Sequence, residues 1–304
     1  MILAAVDIGS NAMRLQVVRV IRENDLVSFK KLEYLRFPLR LGKDVFKENG
    51  KIEKVTQIKF EKLMRTFRLL IDLYEVDAYM AVATSAMREA ENGKELVHLF
   101  ATYYNLKVDI IRGEDEAEIL SKAIIPYLDE KNYIHIDVGG GSTELNLYKN
   151  KVKISSQSFK VGSVRKLNIK DRKEIFKAMA NWLKEHKSTF NETITAIGTG
   201  GNINKLLKLS RQKYNGGMSL TELKALKAYV NEFDYDKRIN QLKMNPDRAD
   251  VIIPAAEIYI EAMKLSGADQ ILVPGVGLKD GTLYTLFEKT TGEHISNIEF
   301  LEAF

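Results

Sequence analysis

One short pattern occurs twice in this chain, and it restricts the possible folds more than any other feature. An apolar run, Ile2–Ile8, carries Asp7 near its end and passes through Gly9-Ser10-Asn11 into a second strand-like run, Leu15–Val20. About 130 residues later the run Tyr133–Val138 carries Asp137, passes through Gly139-Gly140-Gly141-Ser142-Thr143 and enters Leu145–Tyr148. Each copy reads as a β-hairpin with a polar, glycine-bearing tip. Glycine lets backbone amides approach a phosphate closely, and a carboxylate at the strand end can hold a magnesium ion beside it. Taken singly, either copy is also ordinary turn chemistry, since glycine and aspartate are both turn formers. In a chain with 19 glycines the recurrence carries more weight, and a third glycine turn follows at Gly198-Thr199-Gly200-Gly201-Asn202. Together these features point to a duplicated architecture with one loop contributed by each half.

The segments around the hairpins alternate between strand and helix. Glu53–Tyr74 carries Ile58, Leu63, Phe67, Leu70 and Ile71 at three- and four-residue spacing, the pattern of an amphipathic helix. Tyr79–Thr84 reads as a strand, Ala86–Tyr104 as a helix, Lys107–Ile111 as a strand and Asp115–Ile125 as a helix. After the second hairpin come a helix at Lys173–Leu183 and a strand at Thr193–Ile197. Ser219-Leu220-Thr221-Glu222 has the spacing of a capping box, which predicts a helix running to about Asn231. Asp247–Leu265 is expected as one helix kinked at Pro254, Gln270–Val273 as a strand and Asp280–Lys289 as a helix. Such alternation signals an α/β protein. With 304 residues, two domains are expected, 1–125 and 126–304, and the cleft between them is the expected ligand site. The tail Ile295–Phe304 is expected to dock on the first domain as a terminal helix.

Composition removes several chemistries. There is no cysteine, so disulfides, thiolate catalysis and zinc ribbons are excluded. The four histidines, His98, His135, His186 and His294, form no i, i+4 metal pair and read as surface or packing residues. The net charge of +5 is spread along the chain, which argues against a nucleic-acid partner. No run approaches the roughly 18 uncharged apolar residues of a membrane span, and without a basic leader or cysteine a cytoplasmic protein is the simplest expectation.

Five stretches standing in order carry a family resemblance: Asp7-Ile8-Gly9-Ser10-Asn11 with Arg14-Leu15, Ala83-Thr84-Ser85-Ala86-Met87-Arg88-Glu89-Ala90 with Asn92-Gly93, Gly113 with Glu116-Ala117, Asp137 through Glu144, and Arg248-Ala249-Asp250-Val251-Ile252 to Pro254. They resemble the motifs of the exopolyphosphatase / guanosine pentaphosphate phosphohydrolase family in its short, two-domain form. The resemblance implies an α/β fold of duplicated ribonuclease-H-like lobes, like those of actin, sugar kinases and heat-shock chaperone ATPases, with an interdomain cleft. It makes Glu116 the catalytic carboxylate that orients or deprotonates the attacking water. The neighbouring Glu114, Asp115 and Glu118 would raise its affinity for protons, although acids at a helix start are equally explained by the helix dipole. Glu144, seven positions after Asp137, is the second catalytic candidate and, with Asp7 and Asp137, forms a magnesium-binding set that manganese could also fill. Ser10, Asn11, Gly139, Gly140, Gly141, Ser142 and Thr143 would cradle phosphates, joined by the fork of Arg88 and by Gly200. Arg14 would either join them or serve as a structural ion-pair partner, and Arg248 reads as structural. The third turn departs from the serine- and alanine-bearing wording usual in the family.

The implied activity is release of terminal phosphate from inorganic polyphosphate, short chains in particular. Alternatives are hydrolysis of guanosine pentaphosphate and a non-catalytic sensor of either molecule; a kinase or ATPase of the same superfamily is disfavoured by Glu116 in its setting. Lys160, Arg165, Lys166, Lys205, Lys208 and Arg211 would line a path for a polyanion, or else belong to solvated faces. A homodimer is the default assembly.

Overall fold

Each glycine hairpin lies at the centre of its own six-stranded sheet. In the computed structural model, residues 1–23, 26–47, 50–190, 193–210, 216–295 and 299–300 are described. The elements run β1 (Ile2–Ile8), β2 (Met13–Glu23), β3 (Leu26–Phe37), α1 (Leu41–Val45), α2 (Lys54–Leu73), β4 (Ala78–Ala83), α3 (Ser85–Glu89), α4 (Gly93–Tyr104), β5 (Asp109–Ile110) and α5 (Gly113–Ile124). They continue as β6 (Asn132–Val138), β7 (Thr143–Lys149), β8 (Val152–Phe159), α6 (Ile169–Glu185), β9 (Ile194–Thr199), α7 (Gly201–Leu209), β10 (Gly217–Ser219), α8 (Leu220–Asn231), α9 (Tyr235–Asn240), α10 (Pro246–Ala249), α11 (Ile252–Ser266) and β11 (Gln270–Leu272). The described chain closes with α12 (Leu278–Thr291) and β12 (Glu299–Phe300).

Residues Met1–Ala123 and Gly277–Phe304 form one unit, and Ile124–Val276 form the other. In the first, the strand order is β12-β3-β2-β1-β4-β5, and in the second β10-β11-β9-β6-β7-β8. Both contain an antiparallel three-strand meander (β1-β2-β3, β6-β7-β8) whose first strand is continued sideways by parallel strands (β4-β5, β9-β11). This shared order is the ribonuclease-H-like arrangement, present twice.

The apolar run Ile2–Ile8 is continuous because β1 is buried on both faces. Ala4, Val6 and Ile8 join a core with Phe60 and Phe67 of α2 and Phe100 of α4, and Phe60 meets Phe100 edge-on at 4.7 Å. Burial of each of these phenylalanines contributes roughly 1.5–3 kcal/mol. Leu3 and Ala5 face Leu283, Leu286 and Phe287 of α12. For that reason the chain from Gly277 onward packs with the first unit; the expected division placed 126–304 in the second, with the tail Ile295–Phe304 docked on the first. In the second unit Ile134, Ile136 and Val138 point into a core with Ala255, Tyr259 and Met263 of α11. Tyr133, His135 and Asp137 alternate with them and lie on the opposite face of β6.

Several expected elements differ in extent. The helix expected over Ala86–Tyr104 is two helices, because Ala90 is extended and Asn92 turns its side chain to both the N–H and the carbonyl of Ile52, each at 3.0 Å. Pro254 does not kink a long helix: α10 and α11 are separate, and the proline lies in the first turn of α11, where no intrahelical N–H bond is lost. The capping box at Ser219 and Glu222 is present in full. In the tail, β12 pairs Glu299 and Phe300 with Leu26 and Val27 of β3, a strand where a helix was expected; residues 296–298 and 301–304 lie outside the described chain.

Candidate active-site residues in each unit

In the first unit the β1–β2 turn closes through Gly9 N–H donating to the Ala12 carbonyl at 3.2 Å. Antiparallel pairing sets Asp7 opposite Arg14, and Arg14 Nη1 donates to Asp7 Oδ2 at 2.5 Å. Of the two readings of Arg14, the geometry selects the ion-pair partner. Ser10 Oγ lies 2.9 Å from Ser85 Oγ, and its carbonyl accepts from Gly42 N–H at 2.8 Å, so β1, α1 and α3 converge on the turn. Asn11 sits on the same turn, half-buried.

Arg88, in the last turn of α3, donates from Nη1 to the Ile111 carbonyl at 2.6 Å and reaches to 3.7 Å from Glu116 Oε2. Glu116, in the first turn of α5, is 7% exposed. Asp115 and Glu114 turn instead to the exposed Arg112, at 3.1 and 3.9 Å. The charge facing Glu116 on this side is therefore a guanidinium rather than the crowd of acids its sequence neighbours suggested.

In the second unit the register places four polar side chains in one row across the sheet: Ser158, Glu144, Asp137 and Thr199. Carboxylate oxygens of Asp137 and Glu144 lie within 4.8 Å of each other. Glu144 Oε1 accepts from Ser142 Oγ at 2.7 Å and from Ser158 Oγ at 2.9 Å, and Asp137 Oδ1 accepts from Thr199 Oγ1 at 2.5 Å. This all-oxygen pair, each member oriented by a hydroxyl, matches what a hard divalent cation such as magnesium requires.

The glycine turn beside this pair is held from behind. Gly139 N–H donates to the Ser142 carbonyl at 3.0 Å. The carbonyls of Gly139, Gly140 and Gly141 then accept, in turn, from Ser163, from the N–H groups of Val164 and Arg165, and from Arg165 Nε at 2.7 Å. In a planar trans peptide the next N–H points away from the carbonyl, so the amides of Gly140, Gly141 and Ser142 are presented on the side opposite residues 163–165. Consecutive amides presented in this way form an anion-binding nest. Thr143 turns its hydroxyl inward to the Val161 carbonyl at 2.7 Å and contributes backbone rather than a phosphate ligand.

Gly200 has φ +107°, a conformation glycine permits, and it opens α7 beside Asp137. Behind it the Tyr259 hydroxyl donates to the Thr199 carbonyl and accepts from Val138 N–H at 3.3 Å. Burial, then the charge of Asp137, pushes the Tyr259 phenol well above its ordinary value, so it keeps the proton it donates. The expected basic path thins out: Arg165 holds the glycine turn, and Lys205 donates to the Leu242 and Lys243 carbonyls at 2.9 and 3.3 Å. Lys160, Lys166 and Lys208 are exposed, and Arg211 lies outside the described residues. Sequence reasoning missed the 161–165 backing segment, Tyr259 and His135. Wholly buried, His135 has its pKa pushed by burial down to about 3. The available signal was its period-two position before Asp137, which places both on one face of a strand.

Comparison with known proteins agrees with these features. Residues 20–290 match the model of the Ppx/GppA phosphatase family. The chain is 28% identical over 296 residues to the bifunctional 3-dehydroquinate synthase/phosphatase of Fusobacterium nucleatum, covering 89% of this chain but 44% of that protein, so it spans less than half of that relative. It is 22% identical over 299 residues to a putative exopolyphosphatase of Haemophilus influenzae, covering 93% of this chain and 91% of that one. An exopolyphosphatase structure from Cytophaga hutchinsonii superposes with a TM-score of 0.80 at 22% identity, covering 97% of this chain and 99% of the other, and so shares the fold. With the family model matched over most of its length, the chain belongs to the Ppx/GppA phosphatase family.

Proposed function

We propose that this chain hydrolyses the terminal phosphoanhydride of inorganic polyphosphate, with a preference for short chains. The observation that carries the reading is the Asp137–Glu144 carboxylate pair beside a glycine turn that presents three consecutive amides. The amides of Gly140, Gly141 and Ser142, with Gly139, Thr143 and Gly200 shaping the backbone, bind the phosphate oxygens, and Ser10, Asn11 and Arg88 bind further phosphates. Glu116 orients the attacking water and takes its proton as attack proceeds in line. Asp137 and Glu144 hold the magnesium ion, with Asp7 a weaker third candidate because Arg14 already engages it. When bound, that ion neutralises charge developing on the transferred phosphoryl group, a role manganese can also fill.

A second reading keeps the same residues and takes guanosine pentaphosphate as substrate; what favours it is a 23% identity over 300 residues to a guanosine-5'-triphosphate,3'-diphosphate pyrophosphatase of Photobacterium profundum, covering 94% of this chain and 59% of that protein. Among the described residues no helix is long and apolar enough to cross a membrane. We take the working form as a cytoplasmic homodimer without a nucleic-acid partner, to be checked by light scattering and fractionation.

The test is phosphate release with magnesium from short polyphosphate, long polyphosphate, guanosine pentaphosphate and ATP, with Glu116→Gln beside the wild type. Fastest release from short polyphosphate, reduced about 10²–10⁴-fold in the variant, is the expected result. Preference for guanosine pentaphosphate selects the second reading, and no release from any substrate leaves a binding sensor.

A further inference from the structure

We propose that His135 is a positioning residue: through Thr199 it fixes the orientation of the Asp137 carboxylate. The proposal rests on the assignment of Asp137 as a metal ligand made above. Two successive rows of one sheet face carry it. Below the Ser158–Glu144–Asp137–Thr199 row, the strands place Ser156, Asn146 and His135 side by side. An apolar face would be the ordinary choice for a buried stretch of sheet, and Ile134, Ile136, Leu145 and Leu147 supply one on the other side.

The hydrogen bonds across these rows run in one direction. Ser156 Oγ donates to Asn146 Oδ1 at 2.7 Å, which turns the Asn146 amide nitrogen toward His135 Nδ1 at 2.9 Å. An amide nitrogen only donates, so Nδ1 accepts, and the proton of the neutral ring sits on Nε2. Nε2 lies 2.8 Å from Thr199 Oγ1, so it donates there. The threonine hydroxyl, already accepting from the ring, directs its own proton to Asp137 Oδ1 at 2.5 Å. Without the imidazole, that hydroxyl would be free to rotate away. With it, one carboxylate oxygen is pinned, and with that oxygen the plane of the group. The ring is wholly buried, as is the Thr199 side chain, so water does not compete for either bond.

Second-layer partners of a metal-binding carboxylate typically change metal affinity about 10–100-fold when removed. The test measures Mn²⁺ binding to the full chain by calorimetry and electron paramagnetic resonance, alongside kcat, KM and thermal unfolding. The proteins are wild type, His135→Val, His135→Gln, Thr199→Val, Thr199→Ser and Asp137→Asn. Expected are about tenfold weaker Mn²⁺ binding and a lower kcat in His135→Val and Thr199→Val at unchanged KM for polyphosphate. Recovery is expected in His135→Gln, whose amide N–H can replace Nε2, and in Thr199→Ser. Wild-type Mn²⁺ affinity in His135→Val, or no recovery in His135→Gln, overturns the proposal. If Asp137→Asn itself binds Mn²⁺ like the wild type, the metal-ligand assignment fails; if only His135→Val does so, the assignment stands and the relay falls. Should the valine variants not fold, ¹⁵N spectroscopy of the wild-type ring decides: a proton on Nε2 is expected, and one on Nδ1 refutes the relay.

Discussion

The β1–β2 turn and the β6–β7 turn are closed by the same bond, an N–H of the first glycine to the carbonyl three residues on, at 3.2 and 3.0 Å. They differ in what stands across the strand pair from the aspartate. Opposite Asp7 is Arg14, and the two neutralise each other. Opposite Asp137 is Glu144, and the two negative charges accumulate. One difference in a hairpin therefore separates a self-contained ion pair from a carboxylate pair that could hold an outside cation. Such unfavourable pairing is retained where function requires it and at a cost to stability.

The largest effect should come from relieving the second turn. Glu144→Gln keeps shape and removes one charge; phosphate release should fall about a thousand-fold, several kcal/mol of transition-state stabilisation. The melting temperature should hold or rise. A fall in both would mean that Glu144 is structural and the contrast is misread. Next, the backing of the second turn is tighter than that of the first. A Cβ on Gly162 would lie 2.5 Å from the Gly140 carbonyl group, against 3.0 Å between a Cβ on Gly9 and the Ala12 carbonyl. Gly162→Ala should cost up to about 3 kcal/mol by overpacking and weaken phosphate binding, both more than Gly9→Ala does; denaturant unfolding and phosphate titration rank them.

Breaking the first turn's ion pair should act on stability. Asp7→Asn and Arg14→Met should each cost about 1.5 kcal/mol in urea unfolding, with the double variant losing less than the sum. Additivity would show that the pair is not coupled. The smallest effect tests whether a neutralised carboxylate in the second unit behaves like Asp7. Glu257 is flanked by Arg172 at 2.9 Å and Lys227 at 3.0 Å. Burial alone would raise its pKa, but the two cations outweigh burial and hold it below the ordinary value. A folded-state value below the unfolded one means stability gained above the unfolded pKa and lost as pH falls through the folded one. Glu257→Gln should therefore cost up to about 1 kcal/mol at pH 7, since the pair is partly exposed, and nothing once the carboxylate is protonated; an equal loss at both pH values would rule out the ion pair as its origin.

The two hairpins, the third turn and the capping box at Ser219 were legible because each is a local pattern in which glycine, hydroxyl and carboxylate types are dictated by backbone geometry. β3 and β8 were not, because edge-ward strands such as Leu26–Phe37 bury one face irregularly and carry four lysines, arginines and glutamates. Asp7, Asp137 and Glu144 could be named from spacing, yet their different partners could not: Arg14 and Glu144 occupy corresponding places, and only register shows what each faces. The opposite error occurred at Glu116, whose sequence neighbours point elsewhere while Arg88, 28 positions away, comes near. The polar row through His135 was hidden because a lone histidine in an apolar run is read by composition, and its meaning lies in the two adjacent strands.

The placement of α12 has a consequence for the order in which the chain is built. The second unit is one uninterrupted stretch, Ile124–Val276, whereas the first needs Leu283, Leu286 and Phe287 against Leu3 and Ala5. A Cβ on Gly281 would fall 2.0 Å from the Ile119 carbonyl oxygen, so α12 also rests directly on the backbone of α5. During synthesis the amino-terminal sheet emerges first but keeps one face open until α12 has followed, while the inserted unit can complete its core in the meantime. The part that appears first is finished after the part that follows it, and removal of α12 should damage the amino-terminal sheet before it touches the middle.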